Sequence, residues 1–246
     1  VTGEEQRVHL QHAAEVRARF PGLVAGVVAA DGVGADVDVG AHVEEHLATA
    51  RARLDGHPES DLPEIRAWRR AFAAMGLKPT QYRCASEALL RRLRREGTLP
   101  RLHPLVDLCN AVSAAYAVPV AALDLDRVDG DLEVRPATGT EQYLSFAGEE
   151  EHPEPGEVVF VDRAHRAHAR RWTNRQSAAS AVRADTRTVL VVAEALHDTA
   201  GRDVAALVGT LARQISETWP TRPVTAVLTA TEPRFAVPDR FTRRPG

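Results

Sequence analysis

Lysine is almost missing from this chain: Lys78 is the only one among 31 basic residues, so nearly all positive charge is guanidinium. Guanidinium suits bidentate phosphate contacts and stacking on rings, and a GC-rich genome would produce the same bias. Cysteine is scarce too. Cys84 and Cys109 have no CxxC companion, which excludes a disulfide framework and a zinc knuckle and fits a reducing, cytoplasmic setting. No apolar run approaches 18 residues, and the start VTGEEQRVHL is acidic and polar, so neither a membrane span nor a secretory signal is expected. With a net charge of -3, indiscriminate coating of DNA is excluded. Local arginine clusters at 91–101, 163–175 and 234–244 could still hold a structured RNA, whereas acids collect at 141–157.

What is present is a large apolar fraction, 44% of 246 residues, enough for a sizeable core. Residues 4–19 read as an amphipathic helix stopped by Phe20-Pro21-Gly22, and Leu23 to Ala30 as a buried strand. Helices are predicted over His42 to Leu54, from about Leu62 to Met75, over Arg83 to Glu96, Leu105 to Tyr116 and Asp203 to Trp219. The last of these carries Val204, Leu207, Val208, Leu211 and Ile215 as its buried stripe. Strands are predicted at Pro119 to Leu125, Val158 to Val161, Thr188 to Val192 and Val224 to Leu228. Leu132 and Val134 read as a hairpin partner of Pro119 to Leu125 across the turn Asp129-Gly130-Asp131. Elements in this irregular order predict an α+β fold, a mixed sheet flanked by helices, over a doubly wound one. Residues 1–61 read as a helix-strand-helix extension packed on the core, 62–233 as the main domain, and 234–246 as a basic, flexible tail.

Two stretches place polar residues inside apolar runs: His103 to Arg135, and the island Arg171 to Ser177. Asp107, Asn110 and Ser113 recur at a spacing of three, so they share one helix face and either line a pocket or brace the helix through its backbone. Asp124 and Asp126 lie beside a turn, where aspartate orders backbone. In the island, Trp172 with Arg170 and Arg171 either stacks a base and clamps phosphate or plugs the core edge. Arg91, Arg92, Arg94, Arg95 and Arg101 form an RNA-facing rim or a solvated helix face. His165 and His168 have ligand spacing but no third partner, so no metal is expected. Cys84 and Cys109 read as small buried packers.

Further motifs carry a resemblance. Ile65-Arg66-Ala67-Trp68-Arg69, Gly76-Leu77-Lys78-Pro79, Glu87-Ala88-Leu89, Leu105-Val106-Asp107, Asn110-Ala111-Val112-Ser113, Pro119, Asp124-Leu125-Asp126, Gly156-Glu157-Val158 and Trp172-Thr173-Asn174-Arg175-Gln176-Ser177 occur in one order. Together they resemble the B3/B4 domain of the phenylalanyl-tRNA synthetase β subunit, and more closely its free-standing relatives. The resemblance implies an α+β editing module: an aminoacyl-tRNA deacylase acting in trans on a mischarged tRNA, without metal or cofactor. It places Asn174, Gln176 and Ser177 in the catalytic positions. Asn110, Ser113, Pro119, Val120, Ala121 and Trp172 would hold the substrate, and Arg91, Arg95, Arg171 and Arg175 the tRNA. Two departures matter. Ala121 stands where the family's editing pocket has a histidine, and no glutamate occurs in the Trp172 to Ser177 segment where the synthetase reads the tyrosine hydroxyl. A non-catalytic module that binds tRNA or an amino-acid-like ligand is therefore the alternative.

Overall fold

The computed structural model describes residues 8–241. In chain order the elements are β1 (His9–His12), α1 (Ala14–Arg19), β2 (Val24–Ala30), α2 (Gly40–Leu54), α3 (Pro63–Ala74), α4 (Ala85–Glu96), α5 (Pro104–Tyr116) and β3 (Val120–Asp124). They continue with β4 (Leu132–Pro136), β5 (Tyr143–Leu144), β6 (Glu150–Glu151), β7 (Val158–Val161), β8 (Ala167–Arg170), β9 (Arg175–Gln176), β10 (Val189–Ala195), α6 (Ala200–Thr218), β11 (Val224–Leu228) and β12 (Arg234–Ala236). The fold is α+β.

Two sheets organise it. The first is four-stranded and antiparallel in the order β11-β2-β10-β3. Its central strands, VAGVVAA and VLVVAEA, are almost wholly buried, as continuous apolar runs in a covered sheet must be. Helix α6 packs on β2 so closely that a Cβ at Gly26 would meet Val208 Cγ2 at 2.4 Å and Val204 Cγ1 at 2.7 Å. The helix lays Val204, Leu207, Val208, Leu211 and Ile215 inward, the stripe its periodicity predicts. The second sheet has six strands, β12-β1-β4-β7-β8-β9, mixed because β1 runs parallel to β4.

Helix starts follow local chemistry. Pro63 and Pro104 occupy first-turn positions of α3 and α5, where a missing N–H does no harm. The His103 ring caps α5 by accepting from Leu105 N. Helix α3 buries Ile65, Trp68 and Phe72, and the chain leaves it through Gly76 at φ 80°.

Three expectations are corrected. The described part of 4–19 is a strand followed by one short helix: β1 has alternate burial, with Leu10 fully buried between β4 and β12. Residues 4–7 lie outside the described residues. Leu132 to Pro136 does not pair with β3; a 3-10 turn at Leu125–Arg127 carries the chain to the other sheet, and β3 pairs with β10. Residues 234–241 are not a loose tail: Arg234–Ala236 closes one sheet edge, with Phe235, Val237 and Phe241 buried. Residues 242–246 lie outside the described residues. The segment before residue 62 supplies β1 to one sheet and β2 to the centre of the other.

Candidate functional site

The island between β8 and β9 is a four-residue turn, Arg171 to Asn174, whose first two residues are both left-handed, Arg171 at φ 46° and Trp172 at φ 57°. Side chains with a Cβ adopt that conformation at a cost of roughly 1–2 kcal/mol each, so the surroundings must hold it. Burial of Trp172 does so. Its ring is fully enclosed, 4.9 Å from Phe20 and 4.9 Å edge-on from Trp68. The turn is also hung from three elements: Trp172 N donates to Val158 O, Ala85 N at the start of α4 donates to Thr173 O, and Asn174 Nδ2 donates to Arg83 O at 2.7 Å. Gln176 Nε2 donates to Ala122 O at 2.7 Å, tying β9 to β3. A backbone carbonyl can only accept, so each amide presents its nitrogen to the protein and keeps its carbonyl oxygen.

This docking encloses a cavity of about 60 Å³. Pro119, Val120 and Ala121 form one wall, Trp172 to Gln176 another, and Phe160, Ala169 and Val192 fill the apolar sides. Glu194 lines it as well, only 2% exposed at the end of β10. Its Oε1 receives Trp172 Nε1 at 2.9 Å and His12 Nε2 at 2.6 Å. Arg17 Nη2 stands 3.5 Å from His12 Nδ1. Guanidinium and indole are donors only, so in this network His12 Nδ1 is placed to accept from Arg17 while Nε2 is directed at Glu194. Burial draws the Arg17 guanidinium below its usual pKa, and the charge of Glu194 works against that fall.

Of the residues expected at the site, Pro119, Val120, Ala121, Trp172, Asn174, Arg175 and Gln176 meet at this cavity. Three of the expected catalytic and substrate-binding residues do not line it. Ser177 is fully buried, its Oγ donating to Leu144 O and accepting from Ala179 N. Ser113 Oγ donates to Val118 O at 2.6 Å, closing the end of α5, and Asn110 sits elsewhere on that helix. Asp107 accepts Leu102 N and so braces backbone. Asp124 does the same with Asp126 N while also binding Arg127 and Thr186.

The arginines divide. Arg170 is buried in a two-toothed pair with Glu157 and also reaches Glu151; Arg175 pairs with Glu151 at 3.0 and 2.9 Å, over the Tyr143 ring. Arg171 stacks on Tyr82 with its guanidinium 4.7 Å from the ring centre. Arg91 is tied to buried Glu59, whereas Arg95 is 75% exposed beside Glu96. Cys84 and Cys109 are buried thiols pushed up to about 12 by desolvation, inert packers rather than nucleophiles.

His168 binds Asp162, not His165. Among the described residues one group has metal-ligand chemistry, Glu64, His197 and Asp203, with donor atoms within 4.8 Å of one another. Its carboxylates already accept from Arg53 and Arg202. Nothing next to Glu194 in the sequence announces its role, which depends on His12, 182 positions away.

The chain shares a TM-score of 0.48 and 9% identity with the N-terminal fragment of the phenylalanyl-tRNA synthetase β-subunit from Pyrococcus horikoshii, over 88% of this chain and 50% of that one. It is 33% identical over 75 residues to the phenylalanine–tRNA ligase β subunit of Legionella pneumophila (strain Lens), and 32% identical over 74 residues to that of Fusobacterium nucleatum. Each match covers 30% of this chain and only 9% of the relative's length. The B3/4 domain matches residues 67–216, more than half of the sequence, and the chain belongs to the B3/4 domain family.

Proposed function

We propose that the chain is a trans-editing aminoacyl-tRNA deacylase, and that the cavity beneath the Arg171 to Asn174 turn receives the aminoacyl end of a mischarged tRNA. The observation that carries this reading is that Asn174 and Gln176 line an apolar cavity while their side-chain nitrogens are fixed to backbone, which leaves each amide oxygen available to a ligand. Those oxygens suit the α-ammonium of an aminoacyl ester, and holding it places the ester carbonyl in one position. The ester is already activated. A water held beside it and the tRNA's own terminal hydroxyl supply nucleophile and proton relay, so Ala121 need not be a histidine. Ser177 takes no part, since both functions of its hydroxyl are engaged with backbone. Of the arginines expected to meet tRNA, Arg171, stacked on Tyr82, and Arg95, exposed beside Glu96, are not tied to a buried carboxylate or to the Glu151 network.

The test is a panel of misacylated tRNAs incubated with the protein without added metal, following loss of the ester. At least one member should be cleared faster than in buffer. Clearance of none, with tRNA still retained, would establish the module as a binder only, the reading favoured by the engaged hydroxyl of Ser177.

A further inference from the structure

The cavity has a mouth and a floor of different chemistry. Asn174 and Gln176 are half-buried, whereas Trp172 is fully buried and Glu194 is 2% exposed. An aminoacyl group attached to tRNA can enter about 60 Å³ in only one sense, because the nucleotide must stay outside. The ester and α-ammonium then remain with Asn174 and Gln176, and the amino acid's side chain points at Glu194. Both protein donors to that carboxylate converge on Oε1. Oε2 accepts from none among the described residues, although buried carboxylate oxygens take partners as a rule.

We infer that Glu194 is the specificity determinant of this pocket, and that its Oε2 accepts a hydrogen bond from a short, hydroxyl-bearing amino-acid side chain, of the size of serine or threonine. The inference rests on the proposal that the cavity holds an aminoacyl group, and it adds the class of amino acid. Size favours a short side chain, because the space between the Pro119 to Ala121 wall and the Trp172 to Gln176 wall is small, about 60 Å³. Charge sets the kind of donor. Glu194 already faces Arg17 through His12, so a second cation would lose its water against a carboxylate whose charge is partly balanced. A hydroxyl asks only for an acceptor, and an alkyl group of equal shape would leave Oε2 dry and unpaired, which is how a polar pocket rejects an isostere.

Threonine and valine have the same shape and differ in that hydroxyl. Full-length protein is titrated calorimetrically with 3′-deoxy-3′-aminoacylamido-adenosine carrying either threonine or valine, amide-linked so that nothing is hydrolysed. The threonyl compound should bind roughly tenfold or more tighter. Glu194→Leu should bring the ratio to near one, and Glu194→Gln, whose amide oxygen stays with His12 and Trp172 and whose NH2 can donate to the ligand hydroxyl, should retain part of it. Equal binding of the two compounds by the wild-type chain, tighter binding of the valyl compound, or binding of neither overturns the inference. The wild-type comparison decides the matter even where Glu194→Leu does not fold. Hydrolysis is read separately: threonyl preference without clearance of any ester defeats the deacylase and leaves Glu194's role standing, whereas clearance indifferent to the hydroxyl does the reverse.

Discussion

Residues 103–135 and residues 170–177 both carry polar side chains into apolar surroundings, and they satisfy them over very different distances. In the first stretch the partners are local: His103 takes Leu105 N, Asp107 takes Leu102 N, Ser113 gives to Val118 O and Asp124 takes Asp126 N. In the second they are remote, from Asn174 to Arg83 O, from Gln176 to Ala122 O and from Trp172 to Glu194. Local bonds end helices and shape turns, and in Ser113 the single hydroxyl proton is spent on backbone. Remote bonds dock one element on another, and a bifunctional amide used that way keeps its second atom for a ligand.

Trp172→Ala tests the docking half of that contrast and should have the largest effect. Removing a fully enclosed tryptophan costs about 3–5 kcal/mol, read as a fall in the urea midpoint. A loss below about 1 kcal/mol would mean that the left-handed turn holds itself without its ring. Ser113→Ala tests the local half. It should lower stability by about 1–3 kcal/mol, since Val118 O is left unpaired in the interior, and should leave binding of aminoacyl-adenosine analogues unchanged; weakened binding would make Ser113 part of the site.

Asn174→Ala should cost only about 1 kcal/mol of stability for its partly buried bond, yet lower deacylation at least tenfold. A variant as active as the wild type would remove Asn174 from the mechanism. Just beyond the first stretch, Glu141, which accepts from Arg135, offers a milder pH test. Burial pushes the Glu141 carboxyl up, but donation from the Thr138 backbone and side chain and from Arg135 outweighs it and brings the carboxyl from 4.5 down to about 2. Its ionised form therefore favours the folded state above about pH 4.5, and that contribution disappears as the pH falls toward 2. Glu141→Gln should flatten the acid limb of stability over this window, measured by thermal melts from pH 6 to 2; an unchanged limb would place the acid sensitivity elsewhere.

Where structure follows from short-range pattern, the sequence was legible. The stripe of α6 and the apolar runs of β2 and β10 needed nothing beyond periodicity and composition. Pairing between remote segments was not. β1 reads as part of a helix until β4 and β12 are found on either side of it, and β3 has an apparent hairpin partner next in line until β10 takes that place. The site divides the same way. Pro119 to Ala121 and Trp172 to Gln176 stood out by composition and motif order, and they meet at one cavity. Ser113 and Ser177 carry the same kind of signal and serve the backbone instead. Nothing local distinguishes the two uses, because the hydroxyl's partner depends on which strand or turn lies opposite.

The relay from Arg17 through His12 to Glu194 has a consequence for how such chains diversify. Residues 67–216 are the part shared with the B3/4 family, and every side chain named on the cavity walls lies inside it. The two residues behind the carboxylate, and Phe20 against Trp172, lie before it. A leading segment can thus retune the floor of the cavity without altering a single wall residue. Relatives with identical linings and unlike beginnings would then differ in how that carboxylate is held, and the difference would run through a strand that lies outside the matched residues.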